Sequence, residues 1–315
     1  MEISWLSEFA KSWLDRISHE RMPHAVLLAG PAGVGKRAAA NWIAMRRLGL
    51  TSDSAPQYPF ERPQHADLHW IEVPEDKKTI GIDQIRALVA EISMTSYGGT
   101  GKTAIIEPAN SMTHNAANSL LKTLEEPPGD SLIILITDKT GRLPATIFSR
   151  CQRIDISPPA TPDGLAWLNR LQAGAEWAEA LREADNAPIG AIEALESLDT
   201  NAAMARDFVA LAKGAGSALE VAATWSKMEP LFILDWLARQ VRLAILAHSG
   251  GRERAPGLVI DDSVLRRIDR KNLFCYLDII NRLRGQPGGS YNVQLTFEAL
   301  LIDWATGLSD CGESY

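Results

Sequence analysis

Between His24 and Leu48 a short apolar strand (Ala25, Val26, Leu27, Leu28) runs into Gly30-Pro31-Ala32-Gly33-Val34-Gly35-Lys36-Arg37, and that turn runs into a helix through Trp42, Ile43 and Leu48. Strand, glycine-rich turn and helix in this order make a phosphate-binding loop. Glycines let backbone amides curl round phosphate oxygens, and the lysine reaches the terminal phosphates. Gly30, Gly35 and Lys36 stand at the spacing GxxxxGK, with Gly33 inside the turn. The next position needs a serine or threonine hydroxyl to ligate magnesium, and this chain has Arg37 there. The loop is therefore expected to hold nucleotide weakly or not at all.

A chain of 315 residues is long for one core and fits two or three domains. Its 46% hydrophobic and 23% charged residues are those of an ordinary globular protein. Apolar runs such as Leu132 to Ile136 are too short to span a bilayer. Met1 to Ile17 reads as an amphipathic helix with Ile3, Leu6, Trp13, Leu14 and Ile17 on or near one face, and it lacks the basic region and cleavage site of a secretory signal. The expectation is a cytoplasmic protein without a membrane partner. Three scattered cysteines, Cys151, Cys275 and Cys311, suit reduced thiols and neither a disulfide framework nor a four-cysteine zinc site. A net charge of −7 opposes a protein that coats nucleic acid on its own. The short basic strips at Arg46-Arg47, Arg266-Arg267, Arg270-Lys271 and Arg282 with Arg284 read as solvated helix faces before they read as DNA contacts.

Further along, Thr51 to Gln64 is polar and carries Pro56, Pro59 and Pro63, the composition of an exposed loop. His65 and His69 flank the start of a strand; if extended they lie about 13 Å apart, too far for one ion, so no metal site is expected. A helix is predicted from Ile85 to Ile92 with Asp83 as its N-cap. Gly98-Gly99-Thr100-Gly101-Lys102-Thr103 resembles the end of a second phosphate loop, but a strand, Ala104-Ile105-Ile106, follows it and not a helix, so it is a turn. That strand ends at Glu107-Pro108. A P-loop ATPase carries two acidic groups here, one to steady magnesium and one to activate water, and Pro108 has no side-chain base. A helix from Thr113 to Leu124 is stopped by Pro127-Pro128, Ser131 to Thr137 is a buried parallel strand, and Arg153 to Ile156 is the last strand of the domain.

Three stretches together carry a resemblance: Leu120-Leu121-Lys122-Thr123-Leu124-Glu125-Glu126-Pro127-Pro128, the triplet Ser149-Arg150-Cys151, and Gly81-Ile82-Asp83-Gln84-Ile85-Arg86. The chain resembles the clamp-loader branch of the AAA+ ATPases, densely from Arg21 to Ile156 and more thinly beyond. The resemblance implies an α/β P-loop domain with a parallel sheet (1–158), a small helical lid (159–202) and an all-α collar (203–315) through which subunits associate. It further implies a hetero-pentamer with a gamma- or tau-type motor subunit and a delta subunit, loading a sliding clamp onto primed DNA as part of a replicative polymerase (nucleotidyltransferase) holoenzyme. Arg150, with Ser149 and Cys151 beside it, would complete the ATP site of a neighbour as an arginine finger. Thr137 matches the family's polar sensor position.

The departures from an active member fall in one place. Arg37 replaces the hydroxyl, Pro108 the catalytic glutamate, and Asn186-Ala187-Pro188-Ile189-Gly190 has no arginine where motor subunits carry one. No cysteine lies between Leu48 and Trp70, where many relatives carry four, so no zinc is expected. The expectation is a subunit that requires no cofactor and does not hydrolyse ATP; the alternative is an active AAA+ motor subunit. In the C-terminal part, Leu231 to Leu246 is apolar over more than one face, which points to a buried or interface helix.

Overall fold

Apolar strands with both faces covered form the centre of the first unit, which spans Met1–Leu195; a second unit begins at Glu196. The computed structural model describes residues 1–19, 22–138, 141, 143–250, 255, 257–286 and 291–308. In the first unit β1 (Ala25–Ala29), β2 (Leu68–Ile71), β3 (Thr103–Ile106), β4 (Leu132–Thr137) and β5 (Gln152–Asp155) make a five-stranded sheet in the order β2-β3-β4-β1-β5. Every pairing is parallel, with Ala25 opposite Ile133 and Val26 opposite Gln152. Every residue of β1, β3 and β4 is buried, as central strands covered on both faces require. Because the strands are parallel, the ends of β1, β3 and β4 open onto one edge, and that edge collects Gly30, Glu107 and Thr137.

The helices of this unit are α1 (Ser7–Ser18), α2 (Lys36–Arg47), α3 (Ile82–Ile92), α4 (His114–Glu125), α5 (Ala145–Phe148), α6 (Thr161–Leu171), α7 (Trp177–Glu183) and α8 (Pro188–Glu196). α3 and α4 bury Ile85, Leu88, Ile92, Leu120 and Leu124 in one cluster with Ile106, Ile133 and Leu135 of the sheet. Two sequence expectations are corrected at helix starts. α1 begins only at Ser7; residues 1 to 3 are extended against the proline-rich loop, with Ile3 N donating to Pro56 O (2.9 Å) and Tyr58 N to Met1 O (2.8 Å). Ala55 and Pro56 are accordingly buried, so that loop is anchored at its middle. α3 is capped by Gly81, not Asp83: the Gln84 side chain accepts from Gly81 N (3.0 Å) and donates to Glu72 O (3.1 Å), which places Asp83 inside the first turn.

The second unit is helical: α9 (Leu198–Ala212), α10 (Ala218–Trp225), α11 (Pro230–Gly250), α12 (Asp262–Leu265), α13 (Arg270–Arg284) and α14 (Val293–Ala305). α11 buries residues on most of its circumference, including Ile233, Trp236, Leu237, Val241 and Ala244. Its neighbours meet at an aromatic stack, Phe208 on Trp304 at 3.9 Å between ring centres, with Trp304 Nε1 donating to Phe208 O at 2.9 Å. The basic strips are partly spent inside the fold: Arg47 pairs with Asp130, Arg267 donates to Ala212 O, and Arg284 pairs with Asp235. The connector expected at Gly285 to Ser290 lies partly, and the tail from Ser309 wholly, outside the described residues.

Candidate nucleotide site and arginine 150

The loop after β1 folds as its sequence requires, and its lysine is engaged. Gly30 N donates to Thr137 O (3.3 Å), tying the loop to the end of β4. Gly35 caps α2 with a φ of 96°, a left-handed backbone that favours glycine. Lys36 is 5% exposed, and its three ammonium hydrogens find three acceptors: Asp138 Oδ1 at 2.6 Å, Gly30 O at 2.8 Å, and Pro31 O.

Gly33 meets the helical segment that follows the sheet. Its carbonyl accepts from Ile189 N (3.0 Å) and Gly190 N (3.3 Å) at the start of α8, and a Cβ at Gly33 would lie 2.5 Å from Gly190 N. The stretch that lacks an arginine is therefore pressed backbone to backbone against the phosphate loop. On the other side Trp5 Nε1 donates to Val34 O (2.9 Å), and Trp5 packs edge-on against Trp167 of α6, whose Nε1 donates to Glu2 O (2.8 Å).

Arg37 reaches two carboxylates. Nη2 donates to Glu72 Oε1 at 2.8 Å, and Nε lies 2.8 Å from Glu107 Oε2, a charge-to-charge contact without hydrogen-bond alignment. Arg62 forks onto Glu72 with two further bonds of 2.5 and 2.6 Å while its guanidinium carbon sits 4.2 Å above the Trp70 ring. Hydrogen bonding from Arg62 holds the Glu72 carboxyl below its ordinary pKa, whereas burial pushes Glu107 up against the opposing pull of Arg37. Thr137 Oγ1 donates to Asn110 Oδ1 at 2.8 Å. A magnesium–nucleotide group, which the fold family implies, does not fit these side chains. A guanidinium stands against the carboxylate that would steady the ion, and the residue after it is Pro108.

Arg150 follows the short helix α5, next to its C-cap Ser149. Nε donates to Glu125 Oε1 at 2.6 Å, Nη2 donates to the same oxygen, and Nη1 donates to Thr146 O and Ser149 Oγ, each at 3.1 Å. Glu125 is the last residue of α4, where the helix dipole disfavours a carboxylate, so the guanidinium offsets an unfavourable charge. The Arg150 side chain keeps 31% of its surface exposed. Burial pushes the neighbouring Cys151 thiol up to about 12, which disfavours its thiolate form.

The sequence singles out Gly30, Gly33, Gly35, Lys36, Arg37 and Arg150 as candidates but does not pair them with Asp138, Glu72, Arg62 and Glu125, the groups that hold Lys36, Arg37 and Arg150 in the fold. Asp138 follows the strand end already singled out at Thr137. Glu125 lies inside the motif that ends at Pro127-Pro128, whereas nothing local marks Glu72 or Arg62.

A five-stranded parallel sheet with a phosphate loop after β1, an acidic residue after β3, a polar one ending β4 and a helical segment on the loop defines a P-loop unit of the AAA+ type, here joined to an all-helical part. A family model described as DNA polymerase III, delta subunit, matches residues 5–160. The chain is 30% identical over 311 residues to DNA polymerase III subunit delta' of Pseudomonas aeruginosa, covering 90% of this chain and 92% of that protein. It is 38% identical over 170 residues to subunit delta' of Bacillus subtilis, about half of each. A solved DNA polymerase III gamma subunit-related protein from Thermotoga maritima shares the fold, with a TM-score of 0.50 at 21% identity over 98% of this chain and 99% of that one. The chain belongs to the family of DNA polymerase III delta-prime subunits, which makes it a clamp-loader component.

Proposed function

We propose that this subunit does not turn over ATP and instead lends Arg150 to the ATP site of a neighbouring motor subunit. The observation that carries the reading is that the charged groups of its own loop are engaged with one another: Lys36 is held by Asp138, and Arg37 by Glu72 and Glu107. Pro108 offers no base for the attacking water. Arg150, by contrast, sits on a partly exposed carboxylate at the end of α4, and the charge building on a transferring phosphoryl group would compete with Glu125 for it. An arginine finger of this kind is worth ~10³ to ~10⁵ in rate, or about 4 to 7 kcal/mol.

In this reading the neighbours are a gamma- or tau-type motor subunit and a delta subunit in a hetero-pentamer that places the clamp on primed DNA in the cytoplasm. Residues 159–202 act as the lid, 203–315 as the collar, and the subunit works without bound ATP or zinc. The isolated chain is expected to hydrolyse ATP no faster than Lys36→Ala, measured by phosphate release. A rate that disappears with that substitution would overturn the reading.

A further inference from the structure

The pair Arg37 and Glu107 says more than that a ligand is missing. In a P-loop the hydroxyl after the lysine and the acidic group after β3 face one divalent ion from two sides. Here the side chain at the first position has grown across that space and ends 2.8 Å from the carboxylate at the second. The Glu107 side chain keeps 14% of its surface exposed, and a carboxylate so far removed from water is favoured by a cation beside it. The second guanidinium, Arg62, balances Glu72, so the cluster holds two positive and two negative side chains and is neutral without any ion.

We infer that Arg37 is a built-in cation that takes the place of the divalent metal, so that this phosphate loop rejects magnesium and any polyphosphate it takes is bound metal-free. The inference rests on the reading of the site as non-hydrolysing, and it separates from that reading because Pro108 would still prevent turnover after a metal was admitted. It also differs from simple loss of a ligand. A vacant shell would still draw a divalent ion to Glu107 and Glu72, whereas a fixed guanidinium repels one.

The test is binding of a fluorescent ADP analogue to the full chain, with magnesium and with EDTA, for wild type, Arg37→Thr and Arg37→Lys, each first checked by its thermal melt. Wild type and Arg37→Lys are expected to give the same signal in both buffers, or none in either. Arg37→Thr is expected to bind at least ~10-fold more tightly with magnesium than with EDTA, about 1.4 kcal/mol. Magnesium-enhanced binding by wild type would overturn the inference, and so would a folded Arg37→Thr that ignores magnesium. If the threonine variant does not fold, manganese binding to wild type decides, read from the relaxation of water protons in the presence of ADP. Retained ion there overturns the inference, and none supports it. Phosphate release by a magnesium-binding Arg37→Thr would contradict the account of Pro108 and leave the inference about Arg37 standing.

Discussion

Single side chains decide what this phosphate loop does. Lys36 and Arg37 follow one another in sequence but take different partners, Asp138 for one, Glu72 and Glu107 for the other. Replacing a small hydroxyl by a guanidinium changes both the shape and the sign of the site, which is why Arg37 was readable in the sequence as a departure. Its partners were not readable, because 35 residues separate it from Glu72 and no periodicity reports that β2 and α2 approach. The Glu72 carboxyl, held below its ordinary pKa chiefly by Arg62, contributes stability that is present above the unfolded carboxylate value and lost as pH falls through the folded one. Glu107 has the opposite sign: its raised value favours the protonated form and works against the fold as pH rises. Glu72→Gln is therefore expected to flatten the fall in melting temperature between about pH 6 and about pH 3. An unchanged acid limb would show that the Arg62–Glu72–Arg37 cluster does not couple to folding.

At the scale of elements, the strands were the most legible part, because continuous apolar runs such as Leu132–Thr137 have few places to go other than a covered parallel sheet. Helix starts were less so. Asp83 looked like the cap of α3, but Gln84 bonds back to Gly81 and also reaches Glu72, and two bonds from one amide outweigh one aspartate cap. The extended start, residues 1–3, was masked by apolar spacing that suits a helix; tertiary pairing with Pro56 and Tyr58 overrides it. The contact of α8 with the loop is the least local of these features and the most consequential. At Gly33 φ is +74°, and an added methyl would meet the Gly190 backbone. Gly33→Ala is expected to lower stability by about 1 to 3 kcal/mol in chemical denaturation and to loosen residues 187–190, read as faster amide exchange at Ile189 and Gly190. Unchanged protection of those amides would mean that α8 is held by other contacts.

For the molecule as a whole, a sheet-based unit and a helical unit were both visible in composition and periodicity, since Ala, Leu and Trp at helical spacing replace β-branched strands after Ile156. What composition could not convey is that the charged side chains at the sheet edge pair with one another, while a partly exposed arginine is held at the end of α5. In the proposed reading the division of roles rests on two residues, Arg37 and Arg150. The role of Arg150 is read most directly in the assembled loader. A loader reconstituted from this chain, its motor subunit and its delta partner should assemble equally well with wild type or Arg150→Ala, as checked by gel filtration. With the substitution, clamp- and DNA-stimulated ATP hydrolysis should fall by at least ~10³-fold at the site that Arg150 completes. An assembled Arg150→Ala complex with undiminished hydrolysis would contradict the account and leave Arg150 as the counter-ion of Glu125 alone.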